Sequence, residues 1–237
     1  MASNKSRLWL LPSTMSDAPV GDVLPPRNVA VASGLRYFIV ENVRTARRFL
    51  KRCNPAIVID DLTFFTLNTH TTAAELPAMI APLDEGHDMG LISEAGCPAI
   101  ADPGADAVDM ARRHGHTIVP MVGPSSIILG LMASGFNGQS FAFNGYLPID
   151  KGTRTETLRR LENRIRRERQ TQIFIETPYR NNKLIAELAA TLPGSLRLAV
   201  ACDLTGPGAD VRVMTLAEWG RANYNYDKRP TIFLLFS

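Results

Sequence analysis

The chain has 237 residues, 45% of them hydrophobic and 21% charged, with a formal net charge of +3. That length supplies one large domain or two modest ones with a real core, and the composition is that of an ordinary globular protein. No apolar run approaches the ~18 residues of a membrane span, and the run 8–11 behind Lys5 and Arg7 is shorter than the ~7–15 apolar residues of a signal peptide; a cytoplasmic protein off the membrane is expected.

Taken in chain order, residues Arg7–Leu11 read as a first strand, stopped by the polar turn 12–17. Tyr37–Val40 is a second apolar run, and a helical pattern over 43–52 follows it. Residues 56–62, with β-branched Ile57, Val58 and Ile59, predict a third strand. A helix is predicted over 72–83, with Pro77 starting or kinking it. Runs 89–93 and 117–122 each stop at a Gly/Pro-rich loop that leads into a helix-like segment. Five strands alternating with helices predict a parallel sheet, in which ligands bind at the carboxyl ends of the strands. Loops rich in Gly and Pro and poor in charge suit backbone contact with such a ligand.

The second half changes character. Phe141–Tyr146 reads as a strand entering the turn 147–152. Thr153 and Glu156 have capping-box spacing at the head of a helix. Leu158, Leu161 and Ile165 follow at helical spacing, with arginines assigned to the opposite face. Strands are predicted over 171–176, 196–202, 211–214 and 231–236, and a helix over 181–191. The expectation is therefore an α/β protein of two domains, 1–123 and 124–237. The first carries a mostly parallel five-stranded sheet with helices, the second a mixed sheet with helices.

Charge is unevenly spread. Between Lys151 and Gln170, eight basic side chains face three acidic ones, an excess of five that leaves the rest of the chain at −2. Such a local excess is the pattern of a polyanion contact, although most charged helix faces are merely solvated. No aromatic residue interleaves, so base stacking from this helix is not expected.

Several chemistries are disfavoured. No GxGxxG follows a strand, and neither a GxxxxGK[ST] loop nor a GxSxG elbow occurs. Cys53, Cys97 and Cys202 are too scattered for a disulfide framework or a CxxC site. His114 and His116, flanking Gly115, read as a polar helix-to-strand turn, so no metal is expected. Asp102 is placed to cap a helix starting near Ala105, and one of Ser125 and Ser126 to cap the next. Helix N-termini also leave N–H groups free for an anionic group.

The ordered set Ser93-Glu94-Ala95-Gly96-Cys97-Pro98, Asp102-Pro103-Gly104, Val122-Gly123-Pro124-Ser125, Gly145-Tyr146-Leu147-Pro148 with Lys151-Gly152, Glu176-Thr177-Pro178-Tyr179-Arg180 and Asp203-Leu204-Thr205 resembles the tetrapyrrole methylase superfamily of S-adenosylmethionine-dependent methyltransferases. More narrowly, it is similar to the small-subunit ribosomal RNA methyltransferase I family, which 2′-O-methylates a cytidine. The resemblance implies two α/β domains with the cofactor in the cleft between them, and a homodimer. It implies cofactor contacts at Leu11 and Pro12, at Glu94, Ala95, Gly96, Cys97 and Ile100, and at Pro124, Ser125 and Ser126. Further contacts are implied at Thr177 and Pro178, Asp203 and Leu204, and Pro230 and Thr231. RNA or a ribosomal subunit becomes the expected partner of Lys151, Arg154, Arg159, Arg160 and Arg164.

Three turns in the N-terminal third depart from the family. Its Gly-Thr-Pro-Ile-Gly-Asn is here Pro12-Ser13-Thr14-Met15-Ser16-Asp17. Its Glu-Asp-Thr-Arg is Glu41-Asn42-Val43-Arg44, and its His-Asp-His-Asn-Glu is Asn68-Thr69-His70-Thr71-Thr72. A ribose hydroxyl needs a base or polarising group; Glu41 with Arg44 nearby is the first candidate and His70 the second. Three readings stay open: an RNA methyltransferase, a methyltransferase of a small molecule such as a tetrapyrrole, and a catalytically degenerate cofactor- or RNA-binding protein.

Overall fold

The computed structural model describes residues 5–237, which fall into two compact units divided between Ser125 and Ser126. In the first unit the order is β1 (Arg7–Leu11), α1 (Val20–Val23), α2 (Pro26–Gly34), β2 (Tyr37–Val40), α3 (Val43–Cys53), β3 (Thr63–Thr66), α4 (Leu76–Asp84), β4 (Met89–Ile92), α5 (Gly104–Arg113) and β5 (Thr117–Pro120). Its sheet runs β3-β2-β4-β1-β5, and every pairing is parallel.

Both faces of this sheet are covered. Trp9, Leu11, Phe38 and Val40 pack with Ala46, Phe49 and Leu50 of α3 and with Ala32 of α2. Leu8, Ile39, Met89 and Leu91 pack with Met79 and Ile80 of α4 and with Ala107 and Ala111 of α5. Burial of each large apolar side chain contributes about 1.5–3 kcal/mol, which is why β4 reads as an unbroken apolar run, MGLI, buried throughout. The crossovers β1→β2 and β2→β3 run over the face of α2 and α3, whereas β3→β4 and β4→β5 run over the face of α4 and α5. The change of direction falls between neighbours β1 and β4, whose exit loops diverge to opposite faces. That is the topological switch point, where parallel sheets open a crevice.

The third strand lies later than the sequence predicts. Residues 56–62 form a turn and a short 3-10 segment, Ile59–Asp61, and the strand is Thr63–Thr66. The Asn54 side chain accepts from the Ala56 N–H, and the Ile57 N–H donates to Asn54 O, so the chain reverses there. Only Ile57 of the β-branched trio is buried; Val58 is exposed. Phe64 instead stacks on Phe38 with ring centroids 5.7 Å apart. Helix α4 likewise begins at Leu76, four residues after the predicted start, because Pro77 fits a first turn and Glu75 is tied back to Thr72.

The second unit contains α6 (Ser126–Ser134), β6 (Phe141–Tyr146), α7 (Lys151–Glu168), β7 (Thr171–Ile175), a 3-10 turn Pro178–Arg180, α8 (Asn181–Thr191), β8 (Arg197–Cys202), β9 (Asp210–Thr215), α9 (Leu216–Trp219) and β10 (Thr231–Phe236). Its sheet, β6-β7-β10-β8-β9, is mixed: β6 and β7 are parallel and the other pairs antiparallel. Helix α6 rides close on β10, since a Cβ at Gly130 would stand 3.0 Å from Ile232. Trp219, fully buried, donates its indole N–H to Leu198 O at 2.9 Å.

The predicted capping box at Thr153 is absent. Helix α7 starts at Lys151, and Asp150 is its N-cap, accepting from the Thr153 N–H at 2.9 Å and the Thr153 hydroxyl at 2.8 Å. A carboxylate three residues upstream outcompetes the threonine for the free N–H groups. The capping box that does form is Thr215 with Glu218, at α9. Among the described residues, no helix is long and apolar enough to cross a membrane.

Candidate active site: strand exits of the two units

In the first unit the exits of β1, β4 and β5 are bound into one structure. The Ser13 N–H donates to Gly96 O at 3.0 Å, and the Ser93 hydroxyl donates to the same oxygen at 2.9 Å. The Cys97 thiol donates to Pro124 O at 3.3 Å. Burial pushes that thiol up in pKa, away from the reactive thiolate. A Cβ at Gly123 would overlap Pro12 Cβ and stand 2.6 Å from its Cγ, so only glycine lets these two exits touch. Gly123→Ala is expected to cost about 1–3 kcal/mol through overpacking against a rigid ring. Cofactor affinity should fall with it, since the displaced β1 exit borders the switch point. Denaturant unfolding and a binding titration check both.

The 93–104 loop is held in an unusual path. Gly96 has φ +77°, and Ala99 and Ala101 stand at φ 64° and 61°, a region alanine rarely adopts. The Asp102 carboxylate organises the turn, accepting from Ala99 N–H at 2.9 and 3.0 Å and from Gly104 N–H at 2.7 Å. Asp102 thus serves the start of α5, as expected, one residue before the formal cap Pro103. Burial raises its pKa, and neighbouring Glu41 raises it further, while the Gly104 and Ala99 amides oppose both.

Ser13, at the mouth of the switch point, is buried, and its hydroxyl oxygen has no hydrogen-bond partner among the described residues. A buried hydroxyl without a partner costs about 1–3 kcal/mol, so this exit carries an unmet polar demand at the place where a ligand would meet it. With Ile100 and Val122 exposed at the β4 and β5 exits, the residues present fit a bound cofactor with polar and apolar parts.

In the second unit three segments meet at one end of the sheet. The Lys228 N–H donates to Pro178 O at 2.8 Å, and Asp203 N–H to Pro230 O at 2.9 Å. Buried Asn181 clamps the segment before β10, donating to Tyr226 O, Arg229 O and Thr231 Oγ1 at 2.7, 2.9 and 3.1 Å. Arg229 donates to Asp203 Oδ2 and Gly208 O, both at 2.7 Å. Asp203 and Thr205 take left-handed backbone, φ 48° and 71°.

The predicted cofactor residues therefore fall into two groups. Leu11, Pro12, Glu94, Ala95, Gly96, Cys97, Ile100, Pro124 and Ser125 lie at the carboxyl edge of the first sheet. Thr177, Pro178, Asp203, Leu204, Pro230 and Thr231 share one edge of the second, and Ser126 opens α6. Glu41, at the β2 exit, accepts from the Glu94 N–H at 3.0 Å. Arg44 is exposed on the first turn of α3, and His70 is exposed on the β3–α4 connection. Among the described residues no hydrogen bond joins these three.

Arg154 requires a correction. It is not on the basic face: its side chain is 3% exposed and ion-paired with Glu176 at 3.2 Å and Glu187 at 3.1 Å. It also donates to Pro148 O at 3.3 Å. Arg154 precedes Leu158, Leu161 and Ile165 by four, seven and eleven residues, so it belongs to their apolar stripe; that spacing was the overlooked signal. Lys151, Arg159 and Arg160 are exposed and Arg164 half-buried. Glu176, paired with Arg154, accepts from the Thr177 N–H at 2.8 Å and so fixes the β7 exit.

Comparison with known proteins decides the family. The profile described as Tetrapyrrole (Corrin/Porphyrin) Methylases matches residues 43–220. The chain belongs to the tetrapyrrole methylase family. Within it, the chain is 30% identical over 231 residues to the "Ribosomal RNA small subunit methyltransferase I" of Vibrio cholerae serotype O1, covering 96% of this chain and 76% of that one. The protein of the same name from Escherichia coli O157:H7 is 25% identical, covering 98% and 78%. Among solved structures, the methyltransferase CobJ aligns with TM-score 0.65 at 15% identity, covering 99% of this chain and 95% of that one. The cobalt precorrin-4 methyltransferase CbiF aligns at 0.62 and 12%, covering 100% and 97%. These two show the shared fold. As a tetrapyrrole methylase family member the chain is an S-adenosylmethionine-dependent methyltransferase, and the two sheets, one parallel and one mixed, are the architecture expected of it.

Proposed function

We propose that the protein transfers the methyl group of S-adenosylmethionine to a ribose 2′-hydroxyl of ribosomal RNA. The observation that carries this reading is the reach of the similarity, which spans 96% of the chain against a relative named for that class of substrate. The cofactor supplies an electrophilic methyl on a sulfonium leaving group. The chain's part is to hold it, to orient the acceptor and to take the acceptor's proton. Cofactor contacts are assigned in the first unit to backbone groups of the Glu94–Ile100 loop, the Ser13 hydroxyl and the Pro124–Ser125 exit, and in the second unit to Ser126 and the Thr177, Asp203 and Thr231 exits. Orientation is the larger part of such a displacement, since reacting atoms must approach to about 3–3.5 Å in line. Glu41 takes the hydroxyl proton; its anchoring by the Glu94 amide ties the base to the cofactor loop. A cytoplasmic homodimer accompanies this reading.

Arg159, Arg160 and Arg164 on the exposed side of α7 contact RNA phosphates. Replacing all three with Ala removes about three such contacts, and each contributes about 0.7 to the log–log salt slope on single strands. The slope of RNA affinity against salt is expected to flatten by about 2. Label from methyl-labelled S-adenosylmethionine should enter RNA in extract of a strain lacking the protein and vanish with ribonuclease. Ribonuclease-resistant label, or an unchanged salt slope, would count against this function.

A further inference from the structure

A side-chain cluster at the opposite edge of the first sheet has no part in the chemistry above. Asp84 is the last residue of α4, His114 is the C-cap of α5, and His116 immediately precedes β5. Their positions are set by backbone. Gly115 takes φ +86°, the His114 N–H donates to Met110 O, and the His116 N–H donates to Ala111 O, each bond 3.0 Å. The turn thus throws both imidazoles to the same side, toward the end of α4.

The ligand-type atoms converge. His114 Nδ1 lies 3.2 Å from both Asp84 oxygens, and His116 Nε2 lies 2.8 Å from Oδ1. One such atom from each residue lies within 4.8 Å of the others. In a tetrahedral zinc site with bonds of about 2.0–2.2 Å, ligand atoms are separated by about 3.3 Å. The carboxylate–imidazole distances are close to that spacing, so little movement separates the cluster from a coordinating one.

Charge points the same way. Among the described residues the Asp84 carboxylate pairs with the two imidazoles and with no Lys or Arg, and nearby Arg113 is engaged by Asp109. His116 is held by burial, with 9% of its side chain exposed, while Asp84 and His114 are partly open to solvent. Metal can enter from solvent, and the remaining coordination positions stay open to water.

We propose that Asp84, His114 and His116 bind a divalent transition-metal ion of the zinc class. Two imidazoles select such ions over magnesium and calcium, which take all-oxygen sites. Binding takes the ring nitrogens that face Asp84, leaves each imidazole's proton on its other nitrogen, and joins the ends of α4 and α5 to the start of β5. The site is therefore a staple on the first unit, independent of methyl transfer. An ion bound only by the folded chain raises its stability by mass action.

The test uses untagged full-length protein stripped of metal and titrated with cobalt chloride and, separately, zinc chloride. The expected result is one equivalent of Co²⁺ with a visible d–d absorption band, displaced by Zn²⁺, and a Tm raised by zinc. Loss of an outer-sphere partner alone weakens metal sites by about 10–100-fold, so His114→Ala and Asp84→Asn should each weaken binding by at least that factor. His114 is partly exposed, so its variant tests the site without emptying the core. Cys53→Ser with Cys97→Ser should leave the band unchanged. Absence of a stoichiometric band, or binding that survives His114→Ala and Asp84→Asn but not the cysteine variant, would overturn the proposal and leave a histidine–carboxylate ion pair.

Discussion

Replacing Arg154 with Ala is expected to lower the unfolding free energy by about 3–5 kcal/mol, the cost of breaking a buried ion pair from one side. The guanidinium faces Glu176, whose side chain is 7% exposed, and Glu187. Among the described residues its loss leaves Glu187 without a cation and buried Glu176 with only the longer contact to Arg180 at 3.6 Å, and it frees Pro148 O. Trp219 is fully buried in the same unit, so its fluorescence in a Trp9→Phe background follows the relevant transition in urea. Removing all three charges with Arg154→Met, Glu176→Gln and Glu187→Gln should recover most of the loss, because buried pairs often break even against neutral replacements. A single-variant cost under about 1 kcal/mol would mean that water reaches the cluster and screens it. RNA affinity of the folded fraction should not change, which separates Arg154 from Arg159 and Arg160.

Glu41→Gln is expected to reduce methyl transfer about 10²–10⁴-fold, the usual contribution of a positioned general base. The amide keeps an oxygen for the Glu94 N–H but cannot take a proton. Affinity for S-adenosylmethionine should therefore stay within about two-fold, a small energy on the scale where 1.4 kcal/mol is ten-fold. Glu41→Ala, which also removes the acceptor, should lose cofactor affinity as well. If Glu41→Gln turns over normally while Glu41→Ala does not, Glu41 is only the anchor of the 93–104 loop. The base would then have to be sought elsewhere.

Much of this protein was legible in its residues. Period and punctuation placed nine of the ten strands among the described residues, because buried strands such as MGLI and LAVAC have no helical periodicity and run into turn-rich stretches, SEAGCP and DLTGPG. The third strand was missed because Ile57-Val58-Ile59 has strong β propensity, yet the Asn54 turn sets the register downstream. Propensity cannot register a turn closed by a side chain. The strand-exit motifs likewise marked the cofactor loops, since Gly96 and Gly123 stand where backbone must turn left-handed or touch a proline ring.

What the sequence by itself determined was the order of elements, the parallel and mixed sheets and the family; these rest on local patterning and short-range motifs that any stretch of chain carries within itself. Tertiary structure alone decided which charges are free. Arg154 looked like its neighbours in an arginine-rich helix until α8 brought Glu187 beneath it and β7 ended in Glu176. His114 and His116 were a polar turn until α4, thirty residues upstream, delivered Asp84. The physical reason is the same in both cases. A charge's role depends on its partners and its desolvation, and those are set by residues far away in the chain.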